Sequence, residues 1–283
     1  MLDLLHLHGF KCAGSSLIWA LQQHYGDALG YVEHPDPGTR LAWLTLEVVH
    51  PRRPFQAVTS HLITLPPPGR VAHLKVAFLR DPIARLASAY RFQRDTQKAQ
   101  WLENLSFEGY LENLARSSLA NFQTRHLSPQ EPVDWELRAG WGARPELIDL
   151  ERTDLFVGVV ERYDDSLVVL EAMLEAHGIA ISLAYGTARN TTEPSKQDRT
   201  AALALPSHKY LFMTELDRSL LLRAHDRLDR HLAALPDLEA RRHAFRERCN
   251  AIAADPIALR GQPLRPVPQW DYLSDDGWVN VRH

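Results

Sequence analysis

Short apolar runs alternate with amphipathic stretches over the first two-thirds of the chain. Four runs predict buried strands because they are short, apolar and bounded by turn residues, and they cover residues 2–8, 55–61, 71–80 and 155–160. Apolar positions with helical spacing follow the first, third and fourth runs, at residues 15–25, 82–95 and 163–177. Strands that alternate with helices are typical of a mainly parallel sheet flanked by helices, so we expect an α/β fold.

The C-terminal part of the chain has a different pattern. Two helices are predicted within residues 207–254, and the residues that follow are rich in proline with weak periodicity. We therefore expect one α/β domain with a helical C-terminal part over residues 1–254. The extension over residues 255–283 is expected to pack on this domain or to be partly flexible.

Composition and charge narrow the function classes. An apolar fraction of 45% and a charged fraction of 24% are ordinary for a globular protein, and a net charge of −3 argues against a nucleic-acid partner. Cys12 and Cys249 are too few for a disulfide framework. We find no signal peptide and no apolar window of about 20 residues, so we expect a cytoplasmic protein without a membrane span. The oligomeric state is left open.

The segment "GFKCAGSS" at residues 9–16 joins the first predicted strand to its helix. Gly14 lets the chain turn, and the amides at the helix start face an anion with the helix dipole behind them. In a nucleoside-triphosphate loop, lysine directly follows the second glycine. Here Ser15 and Ser16 follow that glycine, and Lys11 lies three residues before it. The loop therefore predicts a phosphate site without the usual clamp on magnesium and triphosphate.

A second polar cluster follows the third predicted strand. Arg80 ends that strand, and helical spacing puts Asp81, Arg85 and Ser88 on one face of the next helix. Because ligands collect at the carboxyl ends of parallel strands, Arg80 and Ser88 can jointly hold a second phosphate. Asp81 precedes a proline, which favours a helix N-cap over a metal ligand. A structural ion pair explains Arg85 equally well.

These two motifs, in this order, resemble those of sulfotransferases that use 3′-phosphoadenosine 5′-phosphosulfate (PAPS). "HGFKCAGSSL" resembles the phosphosulfate loop and "VAFLRDPIARLASAY" the 3′-phosphate motif, with the greatest likeness to the carbohydrate branch that includes the uronyl 2-O-sulfotransferases. "TSHL", "NFQTRHL" and "FVGVVERYDDSL" agree with that branch, so the resemblance spans about residues 3–195. It implies a P-loop-type sheet. The chain departs from the family at Cys12 and Ala13, where one hydroxyl contact to the donor is expected to be missing.

The resemblance implies roles for particular residues. Donor contacts are implied for Lys11, Cys12, Ala13, Gly14, Ser15, Ser16, Arg80 and Ser88, and for Arg189 and Lys196 in a polar loop. His61, in "TSHL", is the implied general base, since neutral imidazole can accept an alcohol proton. Lys11 is implied to stabilise charge on the departing phosphate. Gln123 and Arg125 are implied either to bind and position the acceptor or to act as scaffold.

The implied reaction moves a sulfuryl group from PAPS to a hydroxyl and leaves adenosine 3′,5′-bisphosphate (PAP). It needs no metal, because a sulfuryl group carries less charge than a terminal phosphoryl group. The resemblance favours a sugar acceptor, while a small-molecule or lipid-linked alcohol stays open. Two alternatives remain. A P-loop kinase or hydrolase that uses ATP and magnesium is disfavoured by the missing GK[ST] pattern, and an inactive nucleotide- or glycan-binding domain is disfavoured by the retained Lys11, Arg80, Ser88 and His61.

Overall fold

The computed structural model describes residues 1–32, 55–114, 120–128, 145–186, 211–255, 270–274 and 277–281, and for the last two ranges only the backbone. Within these ranges five strands form one parallel sheet, in the order β2-β3-β1-β4-β5. The strands are β1 (Leu2–Leu7), β2 (Leu29–Tyr31), β3 (Ala57–Ser60), β4 (Ala72–Leu79) and β5 (Leu155–Val159). The expected parallel sheet flanked by helices is confirmed.

Helices follow β1, β4 and β5 as predicted, and two long helices form the C-terminal part. The α-helices of the described ranges are α1 (Gly14–Tyr25), α2 (Pro82–Arg91), α3 (Phe107–Leu114), α4 (Phe122–Leu127), α5 (Tyr163–Ala176), α6 (Leu211–Ala234) and α7 (Leu238–Ala254). Helix α2 is shorter than its pattern predicts, because the chain continues over Phe92–Thr96 as a π-helical turn. None of the helices that the structure describes is both long and apolar enough to cross a membrane.

Local signals set two helix ends. Asp81 Oδ1 accepts a hydrogen bond from Ala84 N at 2.8 Å, and Pro82 is the first helical residue, so the predicted N-cap is confirmed. Helix α5 ends before Gly178, whose φ of 79° lies in the left-handed region that glycine adopts without strain.

The topology decides where a ligand can bind. The chain starts at β1 in the middle of the sheet, forms β2 and β3 on one side, and then crosses to β4 and β5 on the other. The direction of winding therefore reverses between β1 and β4, which pair Leu7 with Ala77 near their carboxyl ends. Open α/β sheets bind ligands outside the carboxyl ends of the strands at such a reversal.

Two apolar clusters hold the fold together. The larger one contains the strands, which are buried on both faces as parallel strands usually are, together with inner residues of α1, α5 and α6. The smaller one joins α2 to α3 through Leu86, Tyr90 and Tyr110, and Met213 of α6 also packs in it. Helix α6 thus contacts both clusters and connects the sheet to the helix that follows Arg80.

The C-terminal segment contains regular structure, although its sequence has only weak periodicity. Residues Trp270–Ser274 (β6) and Gly277–Val281 (β7) form an antiparallel hairpin that pairs Ser274 with Gly277. The sequence "WDYLSDDGWVNV" carries aromatic and β-branched residues around an Asp-Gly pair, which is a hairpin signal. The high proline content of the preceding residues obscured this signal. The domain division at residue 254 stays a prediction.

A buried ion pair fixes the amino end of β5 against β4. Lys75 is fully buried, and its Nζ donates to Asp154 Oδ2 at 2.8 Å and to Ala72 O at 2.7 Å. Burial raises the pKa of Asp154, but hydrogen bonds from Arg152, Lys75 and the Gly69 amide more than offset this and hold it well below its usual range. Burial lowers the pKa of Lys75. The charged pair therefore depends on both partners being present.

We expect Asp154→Asn to lower the free energy of unfolding by about 3–5 kcal/mol, because it leaves the buried Lys75 ammonium without its counter-charge. The depressed pKa of Asp154 means that its contribution is complete above the ordinary aspartate pKa of about 3.9 and is lost as the pH falls below it. Urea denaturation at pH 7 measures the loss. Glu175→Gln, which removes an exposed ion pair to Arg241, is the control. An Asp154→Asn loss no larger than that of the control would contradict the expectation.

Candidate active site

The loop that joins β1 to α1 has an unusual backbone. Lys11 and Ala13 are not glycines, yet their φ angles of 65° and 60° lie in the left-handed region. Such residues cost of order 1–3 kcal/mol each and persist where the surrounding structure holds them. The Cys12 amide donates to Gly9 O at 3.1 Å, and the Ser16 amide donates to Ala13 O at 3.3 Å. Left-handed residues that alternate with others turn neighbouring amides to one side, as in anion-binding nests.

Gly14 is required for space and not for the turn, which corrects the sequence-based expectation. The left-handed conformations of the loop belong to Lys11 and Ala13. A Cβ atom on Gly14 would lie 1.8 Å from His8 Nε2 and 2.0 Å from its Cδ2. The imidazole of His8 therefore packs directly on the main chain at the start of α1, where only glycine fits.

Three histidines stack beside this loop. The ring of His8 lies 3.9 Å from that of His61 and 5.0 Å from that of His6, measured between centroids. His6 Nδ1 lies 2.9 Å from Thr59 Oγ1. Burial lowers the pKa of His6 to about 3 and that of His8 well below its usual value, and the nearby His61 lowers both further. His6 and His8 are therefore neutral near pH 7.

His61 follows β3 in a turn that the buried Ser60 hydroxyl holds by accepting from the amides of Leu62 and Ile63. His61 Nδ1 lies 2.8 Å from His8 O. A carbonyl oxygen only accepts, so Nδ1 carries the proton of the neutral ring and Nε2 is its acceptor. This is the tautomer that a general base needs, and His8 connects it to the loop at Gly14.

Lys11 of the loop lies near two further cations, Arg80 and Arg91. Lys11 Nζ lies 4.2 Å from the ring centre of Phe92, the first residue of the π-helical turn, and Arg80 Nη1 donates to Lys11 O at 3.3 Å. Burial lowers the pKa of Lys11, and the positive charges of Arg80 and Arg91 lower it further. An anion bound here would relieve this repulsion. Arg91 is not among the residues predicted from the sequence, although its spacing of three residues from Ser88 puts both on one helix face.

Ser88 lies on the predicted face of α2. Asp81, Arg85, Ser88 and Phe92 follow one another at spacings of four, three and four residues, which forms a stripe along the helix. Phe92 at one end of the stripe contacts Lys11, so the half-buried Ser88 lies on the side of α2 that faces the loop. Arg85 is buried, with 1% of its surface exposed, and its guanidinium lies 4.9 Å from the ring centre of Phe122. A structural role for Arg85 is thereby supported.

The side chain of Gln123 makes internal contacts. It is 2% exposed. Its Oε1 accepts from Arg80 N at 2.7 Å, and its Nε2 donates to Arg80 O at 2.8 Å. Of the two roles that the sequence left open, the contacts of Gln123 support scaffolding. Arg125 is half-buried, burial lowers its pKa while Asp217 raises it, and its contact with an acceptor stays a prediction.

The side chain of Cys12 also points to the interior. Its Sγ donates to Gln123 Oε1 at 3.5 Å, and burial raises the pKa of the thiol to about 12. Since the amide of Cys12 is bonded to Gly9 O, neither of its polar donors supports the predicted contact with a donor molecule. The thiol is protonated and buried, which fits a structural loop residue and not a nucleophile.

The remaining predicted residues fall into two groups. Ala13 is the N-cap of α1, and Gly14, Ser15 and Ser16 form its first turn, where helix amides point towards the loop. Arg189 and Lys196 lie outside the described residues. Within the part of the chain that the structure describes, no three His, Cys, Asp or Glu side chains are grouped as metal ligands would be.

Comparisons with known proteins yield weak similarities. No family model matches the chain. An uncharacterized protein of Archaeoglobus fulgidus is 26% identical over 186 residues, which cover 59% of this chain and 71% of that protein. The crystal structure of a sulfotransferase from Alicyclobacillus acidocaldarius superposes with a TM-score of 0.36 at 15% identity, over 78% of this chain and 96% of that chain. Neither similarity identifies the function of this protein.

We expect Gly14→Ala to lower the free energy of unfolding by about 1–3 kcal/mol, because the added methyl group overlaps the His8 ring. Combining it with His8→Ala should remove that loss, so that the double variant is as stable as His8→Ala alone. Urea denaturation of the four proteins gives the coupling energy.

The control for this cycle is Gly26→Ala at the other end of α1. Gly26 has a φ of 53°, and a Cβ there would meet nothing within 4 Å. Its substitution strains the backbone, and His8→Ala should not relieve that strain. If His8→Ala restores the stability of neither Gly14→Ala nor Gly26→Ala, the contact between His8 and Gly14 does not explain why glycine is needed at position 14.

Proposed function

We propose that this protein transfers a sulfuryl group from PAPS to a hydroxyl group, with His61 as the general base. One observation carries the proposal. The strained loop that bears Lys11 is bonded to Arg80 on one side and reaches His61 through His8 on the other, at the carboxyl edge of β1, β3 and β4. An anion loop, a second cation and a base-competent imidazole are thus neighbours where α/β sheets bind ligands.

Two separated anion sites fit a ligand with two anionic groups. In the proposal, the amides at the start of α1, the two serines there and Lys11 bind the phosphosulfate group. Arg80 and Ser88 bind the 3′-phosphate. A guanidinium has five N–H donors, of which one contacts Lys11 O, and its planar fork suits a phosphate.

The proposed reaction is an in-line displacement at sulfur. The acceptor oxygen attacks the sulfur while His61 Nε2 takes the hydroxyl proton, and the bond between sulfur and the 5′-phosphate oxygen breaks. The products are a sulfate ester and PAP. Negative charge develops on the departing phosphate, next to Lys11 and the loop amides, where fixed donors stabilise it most effectively.

The acceptor class comes from the sequence resemblance, which favours a sugar hydroxyl. A small-molecule or lipid-linked alcohol would present the same reacting group to His61. The contacts of Asp81 bear on the kinase alternative. Its carboxylate caps α2 and its amide donates to Glu161 Oε1 at 2.8 Å, so the acidic residue after β4 already has a structural role.

We expect the protein to bind PAP in the presence of a chelator, and Arg80→Ala to weaken that binding by about 1.5–3 kcal/mol, the usual value of a hydrogen bond to a charged group. Adenosine 5′-monophosphate (AMP), which lacks the 3′-phosphate, should bind equally well before and after the substitution. Titration calorimetry measures both ligands. Arg241→Ala, which removes a surface arginine paired with Glu175, is the control and should change neither. Binding that requires magnesium, or an equal loss for both ligands, would reject the proposal.

We expect His61→Ala to leave PAP affinity nearly unchanged and to slow sulfate transfer by about 10²–10⁴-fold, the range for a lost general base. The rate of the parent protein should fall with acidification across the range where histidine becomes charged, because only the neutral ring accepts the proton. Radiolabelled transfer from PAPS, with a panel of sugars and other alcohols, gives the rates.

His61→Asn separates the base from its hydrogen bond. The asparagine amide can donate to His8 O but accepts no proton at neutral pH. We expect it to recover thermal stability relative to His61→Ala without recovering turnover. Turnover close to the parent rate in either variant would show that His61 is not the base.

A further inference from the structure

The side-chain amide of Gln123 holds the main chain of Arg80 as a neighbouring strand would. Oε1 accepts from Arg80 N and Nε2 donates to Arg80 O, at 2.7 and 2.8 Å. The pairing of β4 with β5 ends one residue earlier, with Leu79 opposite Val159. Arg80 thus lies just beyond the sheet, and both of its main-chain polar groups are fixed by one side chain.

Gln123 is itself held by a buried carboxylate on α6. The main-chain amide of Gln123 donates to Asp217 Oδ2 at 3.2 Å. The main-chain amide and the hydroxyl of Thr124 donate to Asp217 Oδ1 at 2.7 and 2.9 Å. Asp217 is 1% exposed, and burial raises the pKa of its carboxyl, while the nearby charge of Arg85 and the hydrogen bonds from Thr124 and Gln123 act to lower it. These bonds fix the start of α4, so the Gln123 side chain projects from a rigid position.

The side-chain amide of Gln123 also contacts the loop between β1 and α1. Cys12 Sγ donates to Gln123 Oε1 at 3.5 Å, and Arg80 Nη1 donates to Lys11 O at 3.3 Å. Gln123 therefore contacts both halves of the candidate site and constrains the distance between them. A ligand with two anionic groups binds best when both sites are already at the right separation, since no ordering cost is then incurred on binding.

We propose that Gln123 is the positioning residue that fixes Arg80 relative to the loop, and that it thereby sets the preference of the site for a ligand with a 3′-phosphate. The inference rests on the proposed function, in which Arg80 contacts that phosphate. Gln123 acts through Arg80 and contacts no ligand. Its loss is therefore expected to affect the 3′-phosphate selectively, as the loss of a purely structural residue would not.

The test compares the affinities for PAP and for AMP by calorimetry. Gln123→Met keeps the length of the side chain and removes its hydrogen bonds. We expect the dissociation constant of PAP to rise about tenfold, somewhat less than for Arg80→Ala because Arg80 is displaced and not removed, and that of AMP to change less than about twofold. In an Arg80→Ala background, Gln123→Met should cause no further loss, because both substitutions remove the same contact.

Ser128→Ala is the matched control. Ser128 lies just after α4 and donates a buried hydrogen bond to Thr124 O at 2.8 Å, in the helix that carries Gln123. We expect its removal to lower stability without changing the ratio of the two affinities. Hydrogen exchange at the Arg80 amide of the ligand-free protein adds a readout that does not depend on nucleotide. Protection should fall about tenfold in Gln123→Met and stay unchanged in the control.

Gln123→Asn provides a second variant if Gln123→Met does not fold. It keeps an amide without adding a charge beside the buried Asp217, but its shorter side chain cannot hold both main-chain groups of Arg80 in the same way, so we expect an intermediate loss of selectivity. Equal losses for PAP and AMP, or losses that add to those of Arg80→Ala, would overturn the inference and leave the proposed function in place. Failure of the parent protein to bind PAP would overturn both, and the exchange measurement would still report whether Gln123 holds Arg80.

Discussion

The buried carboxylate of Asp217 is the interaction on which the candidate site depends. A carboxyl with 1% exposure is costly to bury, and burial raises its pKa; the amides of Gln123 and Thr124, the Thr124 hydroxyl and the nearby Arg85 offset part of that cost. The compensation fixes where α4 begins. Through Gln123 it also fixes the end of β4, so a helix remote in sequence determines the position of Arg80.

A second constraint acts on the other side of the loop and is steric. The His8 ring packs against Gly14, stacks on His61 and offers its main-chain oxygen to His61 Nδ1. The histidine that selects the tautomer of His61 is thus the one that contacts the start of α1. Displacement of the loop would therefore disturb the imidazole of His8 and, through it, that of His61. The position of the proposed base is thus coupled to the position of the loop.

The sequence predicted those parts of the molecule that have a local signature. Periodicity and turn residues located β1, β3, β4, β5 and the helices after β1, β4 and β5, but not the three-residue strand β2, and the Asp-Pro pair located the Asp81 cap. The roles of Lys11 and Arg80 in ligand binding stay predictions. The sequence did not predict the two hydrogen bonds between the Gln123 side chain and the main chain of Arg80, or the contact of His8 with Gly14. Both join residues that only the tertiary fold brings together, and neither leaves a periodic pattern.

The distribution of charge follows from these two constraints. Lys11, Arg80 and Arg91 are close enough to lower the pKa of the lysine, in a chain whose net charge is −3, whereas burial keeps His6 and His8 neutral. Charged imidazoles there would add to the repulsion, because Lys11 is near enough to lower the pKa of His8. The fold therefore brings three cations together at the loop, at the end of β4 and at the end of α2, where an anion would relieve their repulsion. It packs the neutral rings of His6 and His8 beside His61, and a base that must accept a proton gains from neighbours that carry no positive charge.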